Sequence, residues 1–389
     1  MLPTPETERL INIPELTQLR QLIHTYPEVS GTEENTARTI HEFLLSCSPS
    51  DIITGVGGHG ILATWDSGKP GKTLLFRAEL DALPIEEINK FAHASSNKGF
   101  SHSCGHDGHS AILCGLAQAL SHKKMYSGKV ILLFQPAEEN GEGAKAMLGD
   151  ANMTTVHPDF VFALHNLPGY PMHEIVIKNG NFTAAVNSIV IHLNGKTSHA
   201  AEPEHGINPA IPVSELLQEA LKLDRNNIED PNFCVVTPVC VELGERSYGI
   251  SAGKASVHLT LRTWNNPDLR KLEKKIESLA KKIGKKHSIN VEFEYTQSFF
   301  ANENDFEAIQ IVQKSAADYG LTLKAREFPF KWGEDFGLFT TKFKWCMFGL
   351  GSGENTPALH NPDYDFPDEL ILTGVKTFYG IINQLLSNR

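Results

Sequence analysis

One stretch of the sequence, residues 128–134, is almost wholly apolar and limits the folds open to the chain. A run without polar alternation is typical of a strand buried on both faces of a parallel sheet. Residues 160–164 form a second run of this kind. Segments with helical periodicity, such as residues 111–120, alternate with these strands. The pattern therefore predicts an α/β fold in which a mostly parallel sheet has helices on both faces.

A different pattern occupies residues 183–296. The predicted elements there follow the order β-α-β-β-α-β, which indicates a four-stranded antiparallel sheet covered by two helices. A chain of 389 residues is also too long for most single cores, so two domains are expected. We therefore predict a discontinuous first domain, residues 1–182 and 297–389, and an inserted α+β domain at residues 183–296.

The net charge of −11 argues against binding to nucleic acids or to anionic membranes, since both attract basic proteins. No apolar stretch is long enough to span a bilayer. The first eight residues lack the basic and apolar regions of a signal peptide. The acidic charge does not by itself identify a small-molecule substrate, and together with the cysteine pattern these features predict a cytoplasmic protein.

The six cysteines are scattered without a disulfide spacing, which indicates a reduced compartment. Five of them are predicted to be small buried hydrophobic residues. These five are Cys47, Cys114, Cys234, Cys240 and Cys346.

The sixth cysteine lies in a polar stretch, residues 101–109, with the sequence Ser-His-Ser-Cys-Gly-His-Asp-Gly-His. Only Gly105 separates Cys104 from His106, and glycine permits a turn tight enough for both side chains to face one point. The stretch precedes a predicted helix, whose N-terminus would favour a thiolate over a thiol. A thiolate is either a nucleophile or a metal ligand.

Other polar residues follow closely after predicted apolar strands, where ligands gather in α/β sheets. These residues are Asp81, Glu138, Glu139 and His165. The last three, together with Cys104, His106 and His360, form a donor set typical of first-row divalent metals. The donors are too many for one tetrahedral ion and would suit two ions that share a water. One of the adjacent glutamates could bind metal while the other takes a proton from that water, and the spacing leaves open which does which.

These motifs resemble the M20 metallopeptidase superfamily over nearly the whole chain, and the cysteine indicates its amidohydrolase branch. That branch includes aminoacylase-like enzymes, hippurate hydrolases, auxin-conjugate hydrolases and N-acetyl-diaminopimelate deacetylases. The motifs are Ser-Cys-Gly-His-Asp-Gly-His at 103–109, Gln-Pro-Ala-Glu-Glu at 135–139, His-Asn-Leu-Pro at 165–168 and Leu-His at 359–360. The resemblance implies a zinc-exopeptidase-like fold, and a hydrolase of linear amide bonds. It also implies that residues 183–296 are a lid that joins subunits into a homodimer or tetramer.

The resemblance also implies roles for the polar residues. Two divalent ions (Zn, Mn, Co or Ni) would be held by five ligands, with the cysteine bridging or shared. These ligands are Cys104, His106, Glu139, His165 and His360. Glu138 would be the general base that takes a proton from the metal-activated water and later gives it to the leaving amine. Asp81 would support the ligands without binding the metals itself.

Three residues of the inserted domain match substrate-binding positions of the family. His199, from its own or a neighbouring subunit, would polarise the scissile carbonyl, and Asn208 and Arg262 would hold the substrate carboxylate. The implied substrate is an N-acetyl or N-benzoyl amino acid.

The sequence departs from the family pattern at Glu79, where an Arg-Ala-Asp motif usually has aspartate. The glycine-rich run at residues 140–143 also carries an additional acid, Glu142. The pair Glu334 and Asp335 follows a glycine and is interpreted as a helix cap. Five further histidines are interpreted as structural: His93, His102, His109, His157 and His173.

Three alternatives remain open. The chain could be a dipeptidase or carboxypeptidase of the same superfamily. It could instead be a hydrolase with Cys104 as nucleophile and His106 or His165 as base. A metal-containing scaffold without enzymatic activity is the third alternative.

Overall fold

The computed structural model describes residues 6–123 and 125–387, so part of the sequence tested for a signal peptide lies outside the described residues. The α-helices are α1 Ile13–Thr25, α2 Glu34–Ser46, α3 His106–His122, α4 Gly143–Gly149, α5 Ala210–Leu221, α6 Asn266–Lys286, α7 Phe306–Asp318 and α8 Leu370–Leu386. Short 3₁₀ helices lie at Glu6–Arg9, Met153–Thr155, Pro203–His205 and Asp335–Thr341. None of the helices in the described ranges is both long and apolar enough to cross a bilayer.

The strands range from two to ten residues in length. They are β1 Asp51–Val56, β2 Gly60–Asp66, β3 Thr73–Glu79, β4 Lys129–Gln135, β5 Phe160–Leu167, β6 Ile175–Ile177, β7 Gly180–Asn181, β8 Ala185–Asn194, β9 Ser198–His199, β10 Cys234–Leu243, β11 Ile250–Ser251, β12 Lys254–Thr263, β13 Asn290–Phe299, β14 Glu303–Asn304, β15 Leu323–Ala325 and β16 Trp345–Gly351.

The chain divides into two compact units. The first holds the residues up to Phe182, Glu303–Glu327, and those from Asp335 onward. Its eight-stranded sheet has the order β1-β2-β4-β3-β5-β16-β6-β15. The four central strands, β4, β3, β5 and β16, are parallel to one another, while β2 and β6 join them in antiparallel pairing. The predicted mostly parallel α/β sheet is therefore confirmed.

One face of this sheet forms the main hydrophobic core. Its side chains, including Phe76, Phe134, Phe162 and Phe348, belong to one buried cluster with residues of α1, α2, α3, α7 and α8. The other face is covered by shorter elements. There, α4 contacts β4, and the ring of Phe336, in the 3₁₀ helix Asp335–Thr341, meets Trp345 edge-on at a centroid distance of 5.1 Å. Helices thus flank both faces, as predicted, but unequally.

The second unit holds Thr183–Asn302 and Phe328–Glu334. Its antiparallel sheet has the order β10-β12-β8-β13, and the buried residues of α5 and α6 pack into one cluster with it. The predicted four-stranded sheet with two helices is confirmed. The unit runs past residue 296 because β13 continues to Phe299, and Thr183 forms a β-bridge to Phe330. The role of this unit as a lid stays a prediction.

The cysteine interpretation needs one correction. Cys47, Cys114, Cys234 and Cys346 are buried and unpaired, but Cys240 is exposed. It follows a register shift after Pro238 in β10, which is the outermost strand of its sheet. Because β10 has no neighbouring strand on its outer side in the described sheet, the apolar character of Cys240 is not enough to bury it.

Candidate metal centre

The carboxyl ends of β3, β4 and β5 bring polar side chains to one face of the large sheet. The parallel register pairs Arg77 with Ala163 and Glu79 with Gln135. Paired residues point to the same side of the sheet, and side chains alternate along each strand. His165, two residues after Ala163, therefore points to the same side as Arg77, Glu79 and Gln135. All of these polar side chains are buried, so each needs a hydrogen-bonding partner.

The turn before α3 depends on Gly105. This residue has φ +87°, in the left-handed region, and it is the N-cap of α3. A Cβ at this position would lie 2.8 Å from Nδ2 of Asn166, so a side chain would be obstructed as well as strained. The turn delivers Cys104 and His106, both buried, to the same place.

In two of the histidines predicted to be metal ligands, the same ring nitrogen, Nε2, is the one that carries a lone pair. Nδ1 of His106 lies 2.8 Å from the backbone oxygen of Asp81, and Nδ1 of His165 lies 2.9 Å from the backbone oxygen of Asn166. A carbonyl oxygen only accepts hydrogen bonds, so both Nδ1 atoms carry the proton. In a neutral ring, Nε2 then has its lone pair available, which is the arrangement found in metal-binding histidines.

The donor atoms of the predicted residues converge. Sγ of Cys104 lies 3.6 Å from Nε2 of His165. One group with mutually close donor atoms, all within 4.8 Å, consists of Cys104, His106 and His165, and a second consists of Cys104, Glu139 and His360. The two groups share Cys104. Imidazole, thiolate and carboxylate donors at such separations fit first-row divalent cations.

His360 has a distinctive conformation among these donors. Its backbone is left-handed, with φ +64°, and its N–H donates to the backbone oxygen of Ser103 at 2.9 Å. Its side chain is 52% exposed, and Nε2 lies 3.7 Å from Oε2 of Glu139. The group of Cys104, Glu139 and His360 is therefore open to solvent at His360.

Asp81 contacts two of the candidate donors, His106 and Glu139. It is fully buried, and its Oδ2 accepts hydrogen bonds from Ser30 Oγ at 2.7 Å and from the backbone N–H of Glu139 at 3.0 Å. Burial raises the pKa of Asp81, but its interaction with His106 and these hydrogen bonds outweigh burial and hold the pKa below its ordinary value. The carboxylate thus stays charged and fixes the backbone of Glu139.

Glu138 is also buried, and an unexpected group of residues supports it. The N–H of Asp335 donates to Oε1 of Glu138 at 3.3 Å. The carboxylate of Asp335 accepts from Arg77 Nη2 at 2.8 Å and from Gln135 Nε2 at 2.7 Å. The interpretation of Asp335 as a simple cap therefore missed this role. Arg77 was the sequence feature that indicated such a partner, since a charged residue within an otherwise apolar strand requires a buried residue to pair with it.

The departure at Glu79 forms part of a second chain of contacts. Glu79 forms an ion pair with Arg77, and its Oε2 lies 2.7 Å from Nδ1 of His109. Nε2 of His109 lies 2.6 Å from Oδ1 of Asn166, next to His165. Both ring nitrogens of His109 are therefore engaged by other residues, which agrees with its interpretation as structural.

The three predicted substrate residues all lie in the second unit. His199 pairs with Ile250 in the short β9–β11 ladder, and Nδ2 of Asn208 donates to Ser251 Oγ in the same ladder at 3.0 Å. Oδ1 of Asn208 also accepts from the N–H of Ala210 at 2.9 Å, so this side chain supports the start of α5. Arg262 lies on β12, and its Nη1 donates to the backbone oxygen of Lys331 at 2.8 Å.

The model of Peptidase family M20/M25/M40 matches residues 75–384. The chain belongs to this family. The predicted membership is confirmed, and this M20 chain is a hydrolase that acts on amide bonds, as predicted.

Relatives extend over almost the full length of this M20 chain. It is 30% identical over 374 residues to the N-acetyldiaminopimelate deacetylase of Halalkalibacterium halodurans, covering 96% of this chain and 100% of that protein. It is 29% identical over 360 residues to the hippurate hydrolase of Campylobacter jejuni subsp. jejuni, covering 92% and 93%. Among solved structures, the YXEP protein of Bacillus subtilis, described as a dinuclear metal-binding peptidase from the M20 family, matches with a TM-score of 0.81 and 25% identity, covering 97% and 99%.

Proposed function

We propose that this chain is a metal-dependent amidohydrolase that cleaves the amide bond of N-acyl amino acids to a carboxylic acid and a free amino acid. The observation that carries this proposal is the pair of donor groups that share Cys104, with the separate carboxylate of Glu138 near Glu139 and His106. The names of two relatives support the substrate class, since hippurate and N-acetyldiaminopimelate are both N-acyl amino compounds.

We infer that two divalent ions bind here, chosen from Zn, Mn, Co and Ni. Cys104, His106 and His165 would hold one ion, and Cys104, Glu139 and His360 would hold the other. When bound, such ions lower the pKa of water and polarise a carbonyl group. The thiolate and the carboxylate contribute two negative charges, so the pair of cations keeps a net positive charge for this work.

Glu138 is the proposed general base. Its carboxylate takes a proton from the water whose oxygen forms the new bond to the acyl carbon. The same carboxyl group then gives that proton to the amine nitrogen as the C–N bond breaks. Burial and the N–H of Asp335 hold the carboxylate in one orientation, which limits the conformations it must sample before each transfer.

His199, Asn208 and Arg262 are the proposed substrate residues. Arg262 has the strongest support, because burial lowers its pKa and its only hydrogen bond among the described residues is to a neutral backbone oxygen. A guanidinium in this situation has free donors for a carboxylate, which it can bind in a bidentate manner. His199 is exposed and would act on the scissile carbonyl, in its own or a neighbouring subunit.

A cysteine hydrolase is the second candidate function, and one distance favours it. A separation of 3.6 Å between Sγ of Cys104 and Nε2 of His165 also suits a nucleophile and its base. This candidate predicts inactivation by iodoacetamide and indifference to chelators. The metal-dependent candidate predicts loss of activity with a chelator and recovery on adding Mn, Co or Zn.

We propose that the protein is cytoplasmic and assembles as a homodimer, or a tetramer built from such dimers. None of the six cysteines, all within the described ranges, forms a disulfide bond, which suits a reducing compartment. Within the described part of the chain, β10 has one neighbouring strand, and it exposes 65% of Val239 and 42% of Val241. Such an edge can pair with a second copy of itself.

The assembly can be tested on this edge. We expect light scattering to give a dimer mass for the wild type and a monomer mass for Val241→Lys, because a lysine there opposes pairing. Ile211→Lys, on the exposed side of α5, is the control and should remain dimeric. A wild type that is monomeric at micromolar concentration would contradict the proposed assembly.

Replacement of His360 by alanine should lower the metal content from two ions towards one. This side chain belongs to only one of the two donor groups, so the group of Cys104, His106 and His165 keeps all its donors. Elemental analysis of the purified variant gives the stoichiometry. Two full equivalents in His360→Ala would remove this residue from the ligand set, and His173→Ala is the matched control.

A substrate panel tests the proposed function. Hydrolysis of N-acetyl and N-benzoyl amino acids, and of free dipeptides, would be measured with defined metals. We expect kcat/KM for the best N-acyl amino acid to exceed that for every dipeptide by at least about tenfold. The reverse order would favour the dipeptidase or carboxypeptidase alternative.

A further inference from the structure

A partly buried group of charges lies beside the candidate metal centre and has no part in the function proposed above. Its centre is Arg20 on α1, which is 1% exposed. Nη1 of Arg20 lies 2.5 Å from Oδ1 of Asp365 and 3.3 Å from Oδ2 of Asp107, and Nε lies 2.8 Å from Oδ1 of Asp368. One guanidinium therefore contacts carboxylates from two distant parts of the chain.

His24, one turn further along α1, contacts the same group. Its Nδ1 lies 2.8 Å from Oδ2 of Asp107, and its Nε2 lies 3.3 Å from Oε1 of Glu87. Carboxylates only accept, so both nitrogens carry protons and the ring is a cation. Burial alone would lower the pKa of His24, but the hydrogen bonds to Asp107 and Glu87 outweigh burial and raise it to about 9.

Three of these carboxylates follow candidate metal ligands in the sequence. Asp107 is the residue after His106, in the first turn of α3. Asp365 and Asp368 lie in the segment that begins at His360 and leads into α8. Arg20 thus joins the turn that carries one candidate ligand to the segment that carries another.

The segment after His360 also contacts the start of α3, and Asn166 of β5, which lies against Gly105 of the same turn. Nδ2 of Asn166 donates to the hydroxyl of Tyr364. The ring of Phe366 lies so close to Gly108 that a Cβ there would come within 2.3 Å of Cγ of Phe366. The segment is therefore packed against the start of α3, and Arg20 supplies the charged part of that contact.

The backbone of His360 explains why such support would be needed. A left-handed conformation at a residue other than glycine is unfavourable, and it persists only where surrounding contacts impose it. Two backbone hydrogen bonds act locally: the N–H of His360 donates to the oxygen of Ser103, and the N–H of Asn361 donates to the oxygen of Ala358 at 3.1 Å, which closes a turn around His360. The anchored residues that follow His360 add to this restraint.

We propose that Arg20 and His24 are positioning residues of the metal centre: they hold the Cys104–His106 turn and the His360 segment in register through Asp107, Asp365 and Asp368. The proposal rests on the ligand roles assigned under the proposed function. Arg20 and His24 contact none of the five candidate ligands in the described structure, so their effect would pass through the backbone.

The test is metal retention by the purified holoenzyme during titration with a chromophoric chelator, alongside thermal unfolding of the metal-free proteins. Asp365→Asn removes one carboxylate from Arg20 and leaves Asp107 and Asp368 in place. We expect it to weaken one of the two bound ions about tenfold, as is typical when a supporting contact of a metal ligand is lost. Arg20→Met should weaken both ions, and Arg20→Lys should fall between, since one ammonium cannot serve all three carboxylates.

Gln21→Ala is the matched control, because Gln21 donates to Oδ2 of Asp368 at 3.0 Å from the same helix but does not touch Asp107. It should retain both ions like the wild type. If Asp365→Asn and folded Arg20→Met bind both ions with wild-type affinity, or only lose thermal stability, the positioning role is wrong and the proposed function stands. If Arg20→Met does not fold, Asp365→Asn decides the matter alone. A wild type without bound metal overturns both proposals.

Discussion

Glu138→Gln is expected to retain both metal ions and to lose about three orders of magnitude in kcat. The amide of glutamine has nearly the size of the carboxylate and can still accept from the N–H of Asp335, which lies 3.3 Å from Oε1 of Glu138. It cannot take a proton from water at neutral pH. The variant therefore separates proton transfer from metal binding.

The measurement pairs steady-state kinetics on the best N-acyl amino acid with elemental analysis of the same preparation. Glu142→Gln is the control, since this carboxylate is 61% exposed and pairs only with Lys145 among the described residues. It should have wild-type kcat and metal content. Near-normal turnover by Glu138→Gln would show that another group moves the proton.

Cys104→Ala is expected to lose both ions and all measurable turnover. Sγ of Cys104 is the donor common to both groups, so its removal affects each ion, whereas His360→Ala affects one. The loss should be evident after dialysis against a weak chelator that leaves the wild type loaded.

Cys114→Ala is the matched control for removing a buried thiol. Cys114 is fully buried among apolar residues of α3, and burial raises its pKa well above the ordinary value, so it is a neutral hydrophobic side chain. This variant should keep two ions and lose only about 1 kcal/mol of stability. If Cys104→Ala is inactive but retains two ions, Cys104 acts as a nucleophile.

The sequence could predict that the candidate donor residues lie close together because the relevant signals are local. Apolar strands end beside polar residues, and parallel strands bring their carboxyl ends to one edge of the sheet. Gly105 between Cys104 and His106 predicted a tight turn, and its φ of +87° agrees with that. For these residues, periodicity and turn chemistry were sufficient.

The supporting contacts could not be predicted because they join residues far apart in the sequence. Asp335 meets Arg77 across 258 positions, and Arg20 meets Asp368 across 348. No local pattern distinguishes Asp335 from a helix cap, or Arg20 from a surface residue of an amphipathic helix. Only the packed structure brings these charges together.

Weak patterns explain the remaining differences. The edge strands β1 and β15, and β6 next to β15, were not predicted, and β6 and β15 are only three residues long. β13 runs to Phe299, past the predicted domain boundary at residue 296, since its exposed end carries little apolar alternation. Cys240 was expected to be buried because its position at a sheet edge is a property of strand order, which the sequence does not state.

The proposed enzyme binds two divalent ions and needs them to hydrolyse an amide. The most direct test is elemental analysis of the protein purified without chelators, followed by activity before and after removal of the metal. We predict two equivalents per chain, no activity in the metal-free protein, and recovery with Mn, Co, Zn or Ni. Full activity in a protein that contains no metal, abolished by iodoacetamide, would contradict this account.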